Sequence, residues 1–161
     1  ADLKMGPFML EMARARFNYD KAADRLARRH AERPVSELVA DLRSNASKPA
    51  KISSFPEEMT MADVAIHTQD VRRALGLAGE LRGSDVETVL TFLATHKQAK
   101  NIYDPSVVEG LRLAATDMDW HHGDGPEITG TGEALMLALA GRPTLDELSG
   151  GGLEGLRSRL T

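Results

Sequence analysis

The residue pattern predicts a mainly α protein: an up-down helical bundle followed by a small α/β extension built from a short β-hairpin and helices. Three observations point there. Apolar residues recur at three- and four-residue spacing in successive stretches up to about His96. The connections between these stretches are short, which favours antiparallel neighbours. After Asp104-Pro105 the period drops to two, as in a strand with one covered face. The expected division is therefore a bundle over residues 1–104 and an α/β region over 105–161.

The elements follow in order. Gly6-Pro7 suits a helix start, because Pro fits the first turn and disfavours the interior. Phe8, Met12, Ala15, Tyr19, Ala22 and Leu26 then form one apolar stripe, predicting a single long helix to about His30. Pro34 opens a second helix through Val35, Leu38, Val39 and Leu42, and Ser44 to Pro56 reads as a loop. Thr60 is the expected N-cap of a third helix, with Asp63 at the capping-box position. Its stripe of Met61, Val64, Thr68, Val71 and Leu75 should face the core, and Gly76 should end it. Ser84 is the expected cap of a fourth helix carrying Val86, Val89, Leu90 and Leu93.

In the second region Leu111, Leu113 and Ala115 alternate with Arg112, Ala114 and Thr116, predicting a strand. Residues His122 to Pro126 read as a turn and Glu127-Ile128-Thr129 as a returning strand. Thr131 should cap an apolar helix from Glu133 to Ala140, stopped by Gly141 before Pro143. Leu145, Leu148, Leu153, Leu156 and Leu160 make a last amphipathic piece.

Composition narrows the functions. The 161 residues carry a net charge of −4, without the basic surplus expected of a nucleic-acid binder. There is no cysteine, which excludes a disulfide framework, a thiolate metal site and a cysteine nucleophile. No apolar run approaches the roughly 18 residues of a membrane span, and no signal-peptide pattern opens the chain. The expected setting is the cytoplasm. The chain begins Ala1-Asp2-Leu3-Lys4 and enters helical pattern almost at once, so it reads as the middle of a longer protein.

One helical turn carries the chemistry. Asp63 and His67 stand one above the other, with Asp70 a step further along the same face. Carboxylate and neutral imidazole are standard ligands of zinc or nickel, and this spacing lets both reach one ion. A third protein donor must come from elsewhere, and His30, His96, His121 and His122 do not obviously supply it. Asp70 could orient the imidazole from behind. The competing reading is a core histidine hydrogen-bonded to Asp63 or Asp70. Arg72 lies about 140° around the helix from His67, taking about 100° per residue, and is not drafted into the site. The run from Asp117 to Asp124 reads as a polar hairpin with its Trp turned to the core. Gly130-Thr131-Gly132-Glu133 reads as a helix cap, since it lacks the Lys of a phosphate loop.

The stretch Asp63-Val64-Ala65-Ile66-His67-Thr68-Gln69-Asp70-Val71-Arg72-Arg73-Ala74-Leu75-Gly76 resembles the metal-helix signature of the mycothiol-dependent maleylpyruvate isomerase family, within the DinB-like superfamily of metal-binding four-helix bundles. A second block is similar to the C-terminal region of many members. It runs from Gly110 to Asp117, through Asp119-Trp120, Gly123-Asp124-Gly125-Pro126 and Gly132-Glu133-Ala134-Leu135, to Ala138-Leu139-Ala140-Gly141-Arg142-Pro143. The resemblance implies a DinB-like bundle whose first helix, bearing a further histidine ligand, lies upstream of Ala1. It implies Asp63 and His67 as ligands of a divalent metal, zinc ahead of nickel. It also implies an external thiol such as mycothiol, used for isomerisation or thiol transfer on a small molecule. Neither nucleic acid nor membrane is an expected partner, and a homodimer is. The alternative is a non-catalytic helical module with a vestigial metal site, acting by dimerisation or small-ligand binding.

Overall fold

A computed structural model describes residues 5–46, 56–102 and 104–160. The chain is mainly helical with a small three-stranded sheet, as the pattern predicts. Its contacts cluster into two compact units divided at Ser54/Phe55. The change of texture at Asp104-Pro105 is thus a change of secondary structure, while the packing boundary lies earlier. Among the described residues no helix is long and apolar enough to cross a membrane.

In the first unit the expected long helix is two: α1 (Met5–Arg14) and α2 (Tyr19–Ala31). The chain folds back through Arg16 and Phe17, at φ 54° and 61°. Phe17 N–H donates to Met12 O at 2.7 Å and Arg16 N–H to Ala13 O at 3.1 Å, satisfying carbonyls that the helix end leaves free. Asn18 then caps α2, its side chain accepting from Lys21 N at 2.9 Å. Buried Ala15 and Ala22 belong to the predicted stripe, whereas Tyr19 is exposed. Helix α3 (Val35–Asn45) begins at Pro34 as predicted. The expected loop from Ser44 begins later, since Ser44 and Asn45 continue α3, and residues 47–55 lie outside the described residues.

The second unit holds the larger core. Helix α4 (Glu57–Ala74) starts after Pro56, not at Thr60, so Asp63 stands beyond the first turn. Gly76, at φ 61°, ends it as predicted, with Leu77 N–H donating to Arg72 O at 2.9 Å. Helix α5 (Gly83–Thr95) follows Arg82, so Ser84 lies inside the helix and does not cap it. Its Val86, Val89, Leu90 and Leu93 are all buried.

Strand β1 (Arg112–Ala115) pairs antiparallel with β2 (His121–His122), Leu113 opposite His122. Strand β3 (Glu127–Gly130) lies on the other edge of β1 and runs parallel to it, Leu113 opposite Ile128. The expected return strand is thus a crossover strand, and the hairpin partner is His121-His122. The reason is the path after β2. At Gly123 and Gly125, with φ 79° and 135°, the backbone presses against the Leu111 and Gly110 carbonyls, where a Cβ would collide. Pro126 O accepts from Arg112 N at 3.1 Å, and the chain enters its new edge in the direction of β1.

Thr131 caps α6 (Gly132–Leu139), its Oγ1 accepting from Ala134 N at 3.2 Å. Apart from Glu133 this helix is apolar, and its other residues are buried. It packs against α5 and β1, while Leu156 of α7 (Leu153–Leu160) joins the same core. Burying each large aliphatic side chain there contributes about 1.5–3 kcal/mol.

Candidate functional site

The face that α4 turns inward consists of Ala62, Ala65, Ile66 and Gln69. Met61, Val64, Val71 and Leu75, expected in the core, are exposed instead. Helix α4 packs against α5, and Ala62, Ala65 and Ile66 join the core there. This choice of face puts the Asp63-His67-Asp70 ridge on the surface, beside the exposed valines.

The side chains of Asp63 and His67 are 71% and 63% exposed. His67 is therefore no core histidine, which corrects the competing reading. Its Nδ1 lies 3.0 Å from Asp70 Oδ2 and its Nε2 lies 3.5 Å from Asp63 Oδ1. The structure thus brings the three predicted residues together, with Asp70 on the inner nitrogen and Asp63 near the outer one.

Asp70 is itself gripped. Arg142 donates Nε to Oδ1 at 3.0 Å and Nη2 to Oδ2 at 2.7 Å. The remaining Arg142 nitrogen, Nη1, donates to Ala140 O at 2.6 Å, just past the end of α6. The Arg142 hydrogen bonds hold the Asp70 carboxyl below its usual range, against burial that raises it and with help from His67. The same contact raises the Arg142 guanidinium.

A second set of contacts runs along the same seam. Buried Gln69 donates Nε2 to Glu133 Oε2 at 2.6 Å. Arg73 donates Nη2 to Glu133 Oε1 at 2.8 Å and Nη1 to Glu147 Oε1 at 2.6 Å. Residues 69, 70 and 73 of α4 are thereby tied to α6 and the segment after it. Sequence reasoning missed the roles of Gln69, Glu133, Arg142 and Glu147. The one available signal was Arg142 just past the Gly141 helix stop, and nothing in the sequence pairs it with an acid 72 positions away.

The other histidines sit on other elements. His30 is in the last turn of α2. His96 Nδ1 accepts from Gln98 N at 3.2 Å, and the ring stacks on Phe92 with centroids 5.1 Å apart. His122 stacks on Trp120 at 6.5 Å. That stack, with Thr91, Thr95, Asp119 and His121, lines a hollow of about 250 Å³ that includes none of Asp63, His67 or Asp70. Trp120 packs in the core as expected, its Nε1 donating to Thr91 Oγ1 at 3.1 Å. Asp117 Oδ1 accepts from Gly132 N at 2.8 Å, so the anion at the start of α6 is the protein's own carboxylate. The Arg72 guanidinium lies over Gly79.

Among the described residues, no group of three or more His, Asp or Glu is arranged to hold a metal ion. Asp63 and His67 fit as two donors of a site, and Asp70 is engaged by Arg142. No protein-family model, curated protein or solved structure matches this chain.

Proposed function

We propose that Asp63 and His67 are two ligands of a divalent-metal site, zinc ahead of nickel. On this reading the protein is a metal-dependent enzyme that uses a low-molecular-weight thiol of the mycothiol kind for isomerisation or thiol transfer on a small molecule. The observation that carries the reading is the posture of His67. Asp70 occupies Nδ1 at 3.0 Å, leaving Nε2 on the exposed side near Asp63. A carboxylate behind a ligating imidazole fixes its tautomer and raises its basicity, and Arg142 holds that carboxylate in place. A bound divalent ion would stabilise a thiolate at neutral pH. The chain has no cysteine of its own, so the thiol comes from outside. Such thiols stay reduced in the cytoplasm, the setting this reading requires.

Elemental mass spectrometry after zinc loading tests the proposal. The expected result is about one zinc per chain, lost in His67→Ala with the circular-dichroism spectrum unchanged. Zinc retained equally by His67→Ala, or by neither protein, overturns it. A second reading, a non-catalytic helical module acting by dimerisation or small-ligand binding, is favoured by one observation. The exposed apolar residues Val64, Val71 and Leu75 flank the two-donor pair. Metal-free protein that dimerises, with dimerisation lost in Val71→Lys, would support it.

A further inference from the structure

The strongest mismatch between local pattern and observed backbone lies at the turn between α1 and α2. Phe8, Met12, Ala15, Tyr19, Ala22 and Leu26 keep helical spacing straight through the point where the chain folds back. The turn segment Ala15-Arg16-Phe17-Asn18 contains neither Gly nor Pro. It nevertheless holds Arg16 at φ 54° and Phe17 at φ 61°, a region that residues with a Cβ avoid. The Phe17 side chain gains little for this strain, since the residue is 71% exposed.

Something must hold the folded-back form, and the contacts identify it. Glu11 is only 2% exposed, and its Oε1 accepts from Arg14 Nη1 and Arg29 Nη2, each at 2.8 Å. Arg14 stands one turn from Glu11 on the same helix and would remain there in a straight helix. Arg29 meets Glu11 only because the chain reverses. Along one helix the 18 positions separating them span about 27 Å. Among the described side chains of the hairpin the other buried residues, Ala15 and Ala22, are small and bury little apolar area, and the half-buried Phe8 meets the exposed Tyr19 edge-on with ring centroids 6.3 Å apart.

We propose that residues 5–31 form a two-state element: a hairpin latched by Glu11 and Arg29 that opens into one continuous helix. Opening releases the left-handed backbone at Arg16 and Phe17. It also aligns Phe8, Met12, Ala15, Tyr19, Ala22 and Leu26 along one face. Closing restores the two-arginine cradle around Glu11.

The absence of native cysteine makes the test direct. Spin labels on Leu10→Cys and Arg28→Cys in the full chain report the separation by pulsed electron paramagnetic resonance. The closed form gives a short distance and the open form one near 27 Å. The expected result is both populations, with the long one rising at least threefold in Arg29→Gln and in Glu11→Gln. Phe17→Gly, which removes the cost of the left-handed turn, should deplete the long population. A single short distance in the parent and both latch variants overturns the proposal. So does a single long distance that persists in Phe17→Gly. If one latch variant unfolds and gives a broad distribution, the other latch variant and Phe17→Gly decide the matter by the same criteria.

Discussion

Arg142 holds Asp70 with two arms of its guanidinium, Nε on Oδ1 at 3.0 Å and Nη2 on Oδ2 at 2.7 Å. Because Nη1 is bonded to Ala140 O, the fork is anchored to the end of α6. Asp70 Oδ2 also faces His67 Nδ1 at 3.0 Å. The orientation of an exposed imidazole on α4 is therefore set by a residue beyond α6. A planar bidentate pair is the geometry that arginine provides and lysine does not.

Arg142→Ala should leave Asp70 without its anchor and cost about 1 kcal/mol, a figure discounted for the partial exposure of both groups. Arg142→Lys should recover only part of this. Chemical denaturation measures the loss. Nitrogen NMR of His67 should at the same time show a weakened preference for the proton at Nδ1. An unaltered tautomer in Arg142→Ala would break the link between Arg142 and His67.

Glu11 gives the pH dependence of the first unit. Its hydrogen bond from Arg29, then that from Arg14, lowers its carboxyl below the ordinary value, outweighing the opposing effect of burial. A carboxyl depressed in the folded state contributes stability above the unfolded value of about 4.3, and loses it as pH falls through the folded one. The Glu11 carboxyl carbon should therefore titrate by NMR with a midpoint below about 4.3. In Arg29→Gln that midpoint should move upward.

Glu133 and Glu147 both bind Arg73, but they should differ in cost. Glu133 also accepts from the buried Gln69 amide, so Glu133→Ala leaves that amide unpaired and should destabilise by about 1–3 kcal/mol. Glu147 is 46% exposed, and Glu147→Ala should cost under about 1 kcal/mol. Equal denaturation midpoints for the two variants would contradict this assignment.

The single tryptophan reports on the sheet and α5 together. Trp120 is buried, so its fluorescence should be blue-shifted in the native protein and move red on unfolding. Thr91→Val removes the oxygen that accepts from the indole and should cost about 1 kcal/mol. Trp120→Phe in the Thr91→Val background should then lose less than Trp120→Phe alone.

Legibility differed from helix to helix. Every apolar position predicted for α5 is buried, because its large aliphatic residues occupy one contiguous stripe. On α4 the strongest stripe was the wrong face. Met61, Val64, Val71 and Leu75 outweigh Ala62 and Ala65 in hydrophobicity, yet the alanine face is the one turned inward. Hydrophobic spacing records what could be buried; how close a neighbouring helix can approach decides what is buried. The α1–α2 turn was hidden for a different reason. No breaker residue marks it, and the Glu11–Arg29 contact is non-local.

The sequence by itself determined what depends on neighbours within a few positions. It specified the helical and strand periods, the stops at Gly76 and Gly141, the Thr131 cap, and the shared ridge of Asp63, His67 and Asp70. These follow from the pitch of a helix and the backbone preferences of single residues. Tertiary structure decided which face of α4 is covered, the parallel placement of β3 on β1, and the pairing of Arg142 with Asp70. Each of these depends on which distant surfaces leave water together. One-dimensional periodicity holds no information about that choice, because the partners are set by shape and charge complementarity across the whole fold.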